Sequence, residues 1–507
     1  MKISKMTEYT LLSTVASLAM RGLGIALNVF LTNKIGAEGI GLFTLIVSVY
    51  SLGISFAAAG YKLATTRLAV EDTESKNPNP VRLITRIILM ALLTGTLAAM
   101  AVYFFSDYIS VNILKEARCA DALKILSFSL PLIASSSVIS AYLGAYYRII
   151  KVAIIQGSSQ IAQIVFILLT INSFSDIKKC CDTVSLGSVI GEATALLIAT
   201  LFLISELKIK KRTRAKKKIL KPFLRIAVPD ALGYDLRSCL STVQHLLIPI
   251  GFRKRGSSAS YALSMYGIMH GMALQVVLFP SCILRSLATL LVPKITESRT
   301  RKDDEKTKDT IRRVLHMTIV FSFCVTSVMF FCSDNIAETL YNTPECSGFL
   351  RLFAPLVPIM YLDISVDSML KGLDKQVASM GYNLLDSAVS VLLVYLLIPP
   401  LGVTGYLIMV FATEIMNTSM SLYKLLSVSL VKMSLFGDVI IPLACAVGAG
   451  CIGKIFIILF GLPHSPITLI LQIFVNVLSY AALIFAISSE TRDNTFRMLG
   501  IKAKAAS

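Results

Sequence analysis

Two arginines stand inside otherwise apolar stretches of this chain, and each is followed seven residues later by a side-chain amide: Arg21 by Asn28, Arg237 by Gln244. Seven residues is about two helical turns, so guanidinium and amide share one helix face. A guanidinium presents a planar fork of donors that suits phosphate oxygens. The amides suit hydroxyl groups, or they join neighbouring helices. Arg21 has a competing reading as the partner of a buried acid such as Glu192, Asp386 or Glu414. Arg237 has one as the partner of Asp230, two turns away on the same face. His245 and His270 lie well inside apolar segments, where a histidine either shuttles protons or packs helices together. Asp363 and Asp367 are one turn apart, with Lys371 one turn on. They read either as a self-neutralised polar face or as a sodium or proton site. With Glu192, these histidines and carboxylates make the candidate set for ion coupling.

Such groups matter because of what surrounds them. The chain has 507 residues, of which 55% are hydrophobic and only 16% charged, with mean hydropathy +0.73. A soluble domain carries about 25% charged residues to face water. Here the apolar residues come in long blocks, as crossing a hydrocarbon layer of about 30 Å with about 20 helical residues requires. An ionisable group in that layer costs several kcal/mol unless it faces a cavity or a partner.

The formal charge of +19 lies largely between the blocks, above all in KIKKRTRAKKKILK (208–221). Basic loops between spans are cytoplasmic anchors, so the charge does not point to nucleic acid. Ten cysteines show no CxxC pair or zinc spacing, and no metal site is expected. Cys119, Cys180, Cys181 and Cys346 fall in expected outside loops; Cys239, Cys282, Cys324, Cys445 and Cys451 fall in apolar blocks as packing residues. No P-loop, HExxH or Gly-x-Ser-x-Gly occurs, so no enzyme and no cofactor is expected.

Apolar blocks predict an all-α polytopic membrane protein of about 14 transmembrane helices, the first over 9–33 and the last over 467–488. Pro131, Pro229, Pro280, Pro358 and Pro442 are expected to kink their helices. The loops rich in Lys and Arg (Lys2 and Lys5; Arg67, Lys76 and Arg82; Arg148 and Lys151; 208–221; 294–313; Arg492 to Lys504) predict that both termini are cytoplasmic. Arg253, Lys254 and Arg255 violate this pattern locally. The Arg–amide pair recurs in span seven, LATTRLAVEDTES (63–75) pairs with LATLLVPKITES (287–298), and Leu130-Pro131 with Val357-Pro358. The predicted organisation is a six-helix lobe over 1–207, a basic connector over 208–222, a second six-helix lobe over 223–430, and two further helices with a cytoplasmic tail over 431–507. Transporters built from parallel repeats bind substrate between lobes near mid-membrane.

IGAEGIGLF (35–43), PDALGYDLRSCLSTVQHLLIP (229–249), YGIMHGMALQVVLFP (266–280), LATLLVPKITES (287–298) and APLVPIMYLDISVDSMLKGLDKQ (354–376) carry a resemblance. The sequence resembles the polysaccharide-biosynthesis flippases related to stage V sporulation protein B. That group lies within the superfamily that also holds lipid II flippases and multidrug MATE exporters. The resemblance implies alternating-access export of an undecaprenyl-pyrophosphate-linked saccharide, an oligosaccharide unit or a peptidoglycan precursor, from a monomer in the cell membrane. Arg21, Asn28, Arg237 and Gln244 would then line the substrate cavity, with membrane lipids as partners and sodium or a proton as coupling cation. Many relatives show a second arginine where this chain has Asn28. The alternative is a cation-coupled exporter of the MATE type.

Overall fold

In hydrocarbon every backbone N–H and C=O must find its partner within the segment, so long apolar blocks become helices. The computed structural model describes residues 2–74, 79–146, 148–174, 176–208, 219–301, 303–431, 433–461, 463 and 465–487, and no strand occurs among them. Most of the 208–222 connector and the basic tail from Arg492 to Lys504 lie outside the described residues, as does Lys76. Among the described residues ten helices are long and apolar enough to cross a membrane, or eleven if one bent pair counts as a span. The protein is therefore a multi-pass membrane protein.

Contacts gather the chain into two compact units. The first comprises Met1–Leu27, Ile35–Gly267 and Val391–Tyr406. In it lie most of α1 (Lys2–Ala58), α2 (Tyr61–Glu74), α3 (Pro80–Tyr108), α4 (Cys119–Ser127), α5 (Ser129–Ala145), α6 (Ile149–Thr170), α7 (Ile177–Lys208), α8 (Leu220–Lys254) and α9 (Ala259–Tyr266). Ile84, Ile87, Leu130, Val138, Tyr142 and Ile155 form its core, and Phe223 and Ala227 bring α8 into it. At 57 residues α1 has the length of two spans, and it breaks at Gly36, whose φ of +70° is open to glycine. Beyond that break α1 meets α9 backbone to backbone. A Cβ on Gly41 would stand 2.0 Å from the Leu263 carbonyl oxygen, and one on Gly267 would stand 2.2 Å from that of Ala37. Farther along, the Thr242 hydroxyl donates to the Ser48 carbonyl at 3.1 Å. Helices α8 and α9, which open the second repeat in sequence, thus pack in the first unit.

An ion network ties one end of this unit. Arg118 bridges Glu38 at 2.8 Å and Glu116 at 3.0 Å. Glu116, almost fully buried, also pairs with Arg253, which donates to the Lys115 carbonyl at 3.0 Å. Glu38 accepts from the Ser260 hydroxyl. Burial alone would lower the Arg118 pKa, but the two carboxylates outweigh it and hold it above its ordinary value. Lys254 sits 5.3 Å from the ring centre of Tyr395, and the Arg255 guanidinium packs against Gly402. The three basic residues that break the loop pattern are each engaged by the first unit.

The second unit comprises Asn28–Lys34, Ile268–Ser390 and Leu407–Ser507. Along it run α10 (Leu274–Leu278), α11 (Ser281–Thr300), α12 (Asp304–Phe331), α13 (Ser333–Ile336), α14 (Glu345–Phe353), α15 (Val357–Gly372), α16 (Gln376–Leu401), α17 (Val403–Ser429), α18 (Ile441–Leu459) and α19 (Pro466–Ile487), the last residues of α16 and the first of α17 belonging to the first unit. Ile311, Leu315, Val366 and Met369 pack one core, and Ile319, Phe323, Cys445, Ala449 and Tyr480 another. Helices α18 and α19 are fastened to α12 by polar groups. Ser327 donates to the Ala446 carbonyl at 2.6 Å, Asn476 donates to Ser327 at 3.1 Å, and Tyr480 donates to the Val320 carbonyl at 2.8 Å. The His316 ring meets Asp438 at 2.9 Å, both buried.

The repeat read from sequence has a backbone counterpart. A π-helical turn (Ile109–Ile113), Lys115 at φ +53°, then α4 and α5 form one set; a π-helical turn (Ala337–Tyr341), Asn342 at φ +49°, then α14 and α15 form the other. One expectation needs correction. Cys119, Cys180, Cys181 and Cys346 lie buried within helices rather than in loops, because α4, α7 and α14 extend beyond the apolar blocks. Pro280, Pro358 and Pro442 stand at the starts of α11, α15 and α18, where proline's missing N–H costs nothing, and Pro358 and Pro442 follow directly on a 3-10 turn (Ala354–Leu356) and a π-helical turn (Leu435–Ile440) inside single spans.

Candidate functional site

In the first unit a cavity of about 560 Å³ opens among α2, α5, α6 and α7. Lys62 and Thr66 come from α2, Ser136, Ser137 and Ser140 from α5, Gln156 and Ser159 from α6, and Glu192 from α7. Glu192 is half-buried and accepts from the Ser159 hydroxyl at 3.5 Å. One turn beyond Gln156, the Gln160 amide donates to the Met20 carbonyl at 2.8 Å. Gly157 permits this approach, since a Cβ there would meet the Met20 methyl at 2.9 Å. The residue next to Met20 in sequence is Arg21.

Arg21 is exposed on α1 and Arg237 is exposed on α8. Neither forms an ion pair or hydrogen bond among the described residues. Within the first unit, Arg21 is therefore not paired with Glu192, nor Arg237 with Asp230. Asp235 instead accepts from the Ser55 hydroxyl on α1. Asn28 and Gln244 are both half-buried, and the Asn28 side-chain oxygen is enclosed without a hydrogen-bond partner.

The coupling candidates divide between the units. His245 is half-buried in the first unit, with Nδ1 3.1 Å from the Tyr266 hydroxyl. His270 lies on the π-helical turn Gly267–Ala273. In the second unit Asp363 accepts from the Asn417 amide at 3.2 Å, and Asp367 accepts from Ser379 and from Asn383 at 3.2 Å. Among the described residues Lys371 and Asp367 form no ion pair. Among the described residues no three His, Cys, Asp or Glu side chains are grouped to hold a metal ion. A second cavity, about 380 Å³ among α11, α12 and α15, is mainly apolar, and Arg313, paired with Asp309, lies on its wall.

The hydroxyls of α5 escaped the sequence reading. Their signal was the run ASSSVISAY (134–142), too polar for a lipid-facing helix yet spaced without any motif. His316 was missed because its partner Asp438 is 122 residues away.

A family profile described as Polysaccharide biosynthesis protein matches residues 7–298. Stage V sporulation protein B of Bacillus subtilis (strain 168) is 22% identical over 414 residues, 78% of this chain and 79% of that one. Sporulation protein YkvU of the same organism is 18% identical over 404 residues, 78% and 88% of the two chains. Among solved structures, lipid II flippase MurJ in an inward closed conformation gives a TM-score of 0.71 at 17% identity, covering 96% of this chain and 99% of that one. A multidrug resistance MATE family transporter, inward-facing, gives 0.58 at 13% identity, covering 82% and 97%. At these identities the structural matches establish a shared fold.

Proposed function

This chain belongs to the polysaccharide biosynthesis protein family, and we propose that it carries a polyprenyl-pyrophosphate-linked saccharide from the inner to the outer leaflet by alternating access. The observation that carries this reading is the pair of unpartnered guanidiniums, Arg21 and Arg237, at matching registers of two helices. The lipid tail is content in hydrocarbon, whereas the head would lose its hydrogen bonds and charge solvation there. Guanidiniums and amides, from Arg21, Asn28, Arg237 and Gln244, replace that solvation at the phosphates. Fourteen spans complete the architecture: the eleven apolar candidates with the bent pair α4–α5 counted as one, a second span within α1 and α2, and the more polar helices α8 and α17. The substrate is an oligosaccharide unit or a peptidoglycan precursor; the name of the structurally similar lipid II flippase favours the latter.

Outward movement of negative charge is favoured where the cell interior is negative, by about 2.3 kcal/mol per charge per 100 mV. A cation returning at Asp363 and Asp367, or at Glu192, His245 or His270, supplies a second driving force. The protein is a monomer in the cell membrane with both termini cytoplasmic, and it catalyses no covalent chemistry.

The test is transport of a fluorescent lipid-linked oligosaccharide in proteoliposomes. Losing a charge-assisted hydrogen bond to phosphate costs about 1.5–3 kcal/mol. Arg21→Ala and Arg237→Ala are each expected to slow transport by about tenfold or more. Unchanged transport in both variants removes the anchors and the reading with them. The likeness to MATE transporters supports a second reading, a cation-coupled exporter of small molecules. Drug-resistance assays in cells expressing the protein separate the two.

A further inference from the structure

We infer that the cavity among α2, α5, α6 and α7 is a second recognition site, for an uncharged, hydroxyl-rich sugar ring of the transported head group; this rests on the flippase reading above. The argument begins with where the hydroxyl protons point. Thr66 donates to the Lys62 carbonyl at 2.8 Å, Ser136 to that of Ile133 at 3.2 Å and Ser137 to that of Ala134 at 2.8 Å. Ser159 spends its proton on Glu192. A hydroxyl has one proton and two acceptor lone pairs, so these four side chains keep only acceptors for a ligand. The Glu192 carboxylate adds further acceptors to the same wall. Free donors are fewer: Lys62, Ser140 and Gln156 form no hydrogen bond among the described residues.

A wall rich in acceptors asks for a ligand rich in donors. Lys62 on that wall opposes an organic cation, and Glu192 opposes a phosphate, so the two charges together select a neutral ligand. Sugar hydroxyls and N-acetyl N–H groups meet that demand, and Ser140 and Gln156 answer their oxygens. A volume of about 560 Å³ falls in the ordinary range for small-molecule pockets. The site lies beside α6, whose Gln160, one turn past the lining residue Gln156, holds the α1 backbone at Met20, the residue before Arg21.

The experiment compares two probes on the purified full-length chain: undecaprenyl pyrophosphate bearing an N-acetylated disaccharide, and bare undecaprenyl pyrophosphate. The wild type is expected to bind the sugar-bearing lipid more tightly. Ser140→Leu and Gln156→Leu are each expected to erase that advantage, by about tenfold, and to leave the bare lipid's affinity unchanged. Retained bare-lipid binding reports that the variant is folded. Should Ser140→Leu lose both probes, Gln156→Leu at the exposed edge decides alone. An advantage that survives in Gln156→Leu, or a wild type that binds both lipids equally, overturns the sugar site and leaves the flippase reading standing. A wild type that binds neither lipid overturns both.

Discussion

Arg253 stands where a count of basic residues argues against it, and its surroundings explain why it is kept. Glu116 and the Lys115 carbonyl hold its guanidinium, so its charge is spent locally and no longer weighs on orientation. Arg21 and Arg237 are the reverse case, charges with no local use. Asp363 and Asp367 lie between these extremes, each accepting from a side-chain amide. Asp363→Asn and Asp367→Asn preserve shape and remove charge. If these groups couple transport to a cation, each variant is expected to lose at least about tenfold of the stimulation by a sodium or proton gradient, while binding of the lipid-linked substrate stays unchanged. Proteoliposome flux with and without each gradient measures this, and full stimulation in both variants excludes the pair.

At the scale of elements, the two most recognisable glycine motifs mark one helix crossing. IGAEGIGLF supplies the break at Gly36 and the contact at Gly41, and YGIMHG supplies Gly267 opposite. Both contacts are backbone against backbone, which no rotamer change relieves. Gly41→Ala and Gly267→Ala should each destabilise the purified protein by about 1–3 kcal/mol, read as a lower unfolding temperature. Gly381→Ala on α16, where a Cβ meets nothing within 4 Å, is the control and should be neutral or slightly stabilising. An equal response from all three would show that close packing is not the cause.

At the scale of the molecule, the network of Glu38, Arg118, Glu116 and Arg253 fastens the start of the second repeat's helices within the first unit. Removing one member of a buried ion pair leaves its partner's charge uncompensated, at a cost of about 3 kcal/mol. Glu116→Gln is accordingly expected to lower the unfolding temperature and to expose the 253–260 turn to protease; an unchanged digestion pattern would dismiss the network as decoration. Orientation is tested separately. A periplasmic phosphatase fused at the C-terminus should be inactive and a fluorescent protein there should glow, because both termini are proposed to be cytoplasmic.

What the sequence determined unaided was the class: long apolar blocks, sparse charge and Arg–amide pairs at helical spacing are local properties, and hydrocarbon leaves them only the helix. The signal from which a repeat is read is local too, because the matched segments keep an aliphatic residue before proline and Leu-Ala-Thr in order. Tertiary structure alone decided partners and cavities. That Asp235 meets Ser55 across 180 residues depends on helix rotation, which periodicity does not encode. The acceptor-lined cavity joins residues from Lys62 to Glu192 on four helices, and the direction of each serine proton is set by backbone carbonyls only the folded chain presents. Local composition chooses the element, while distant contacts choose which of its faces carries the chemistry.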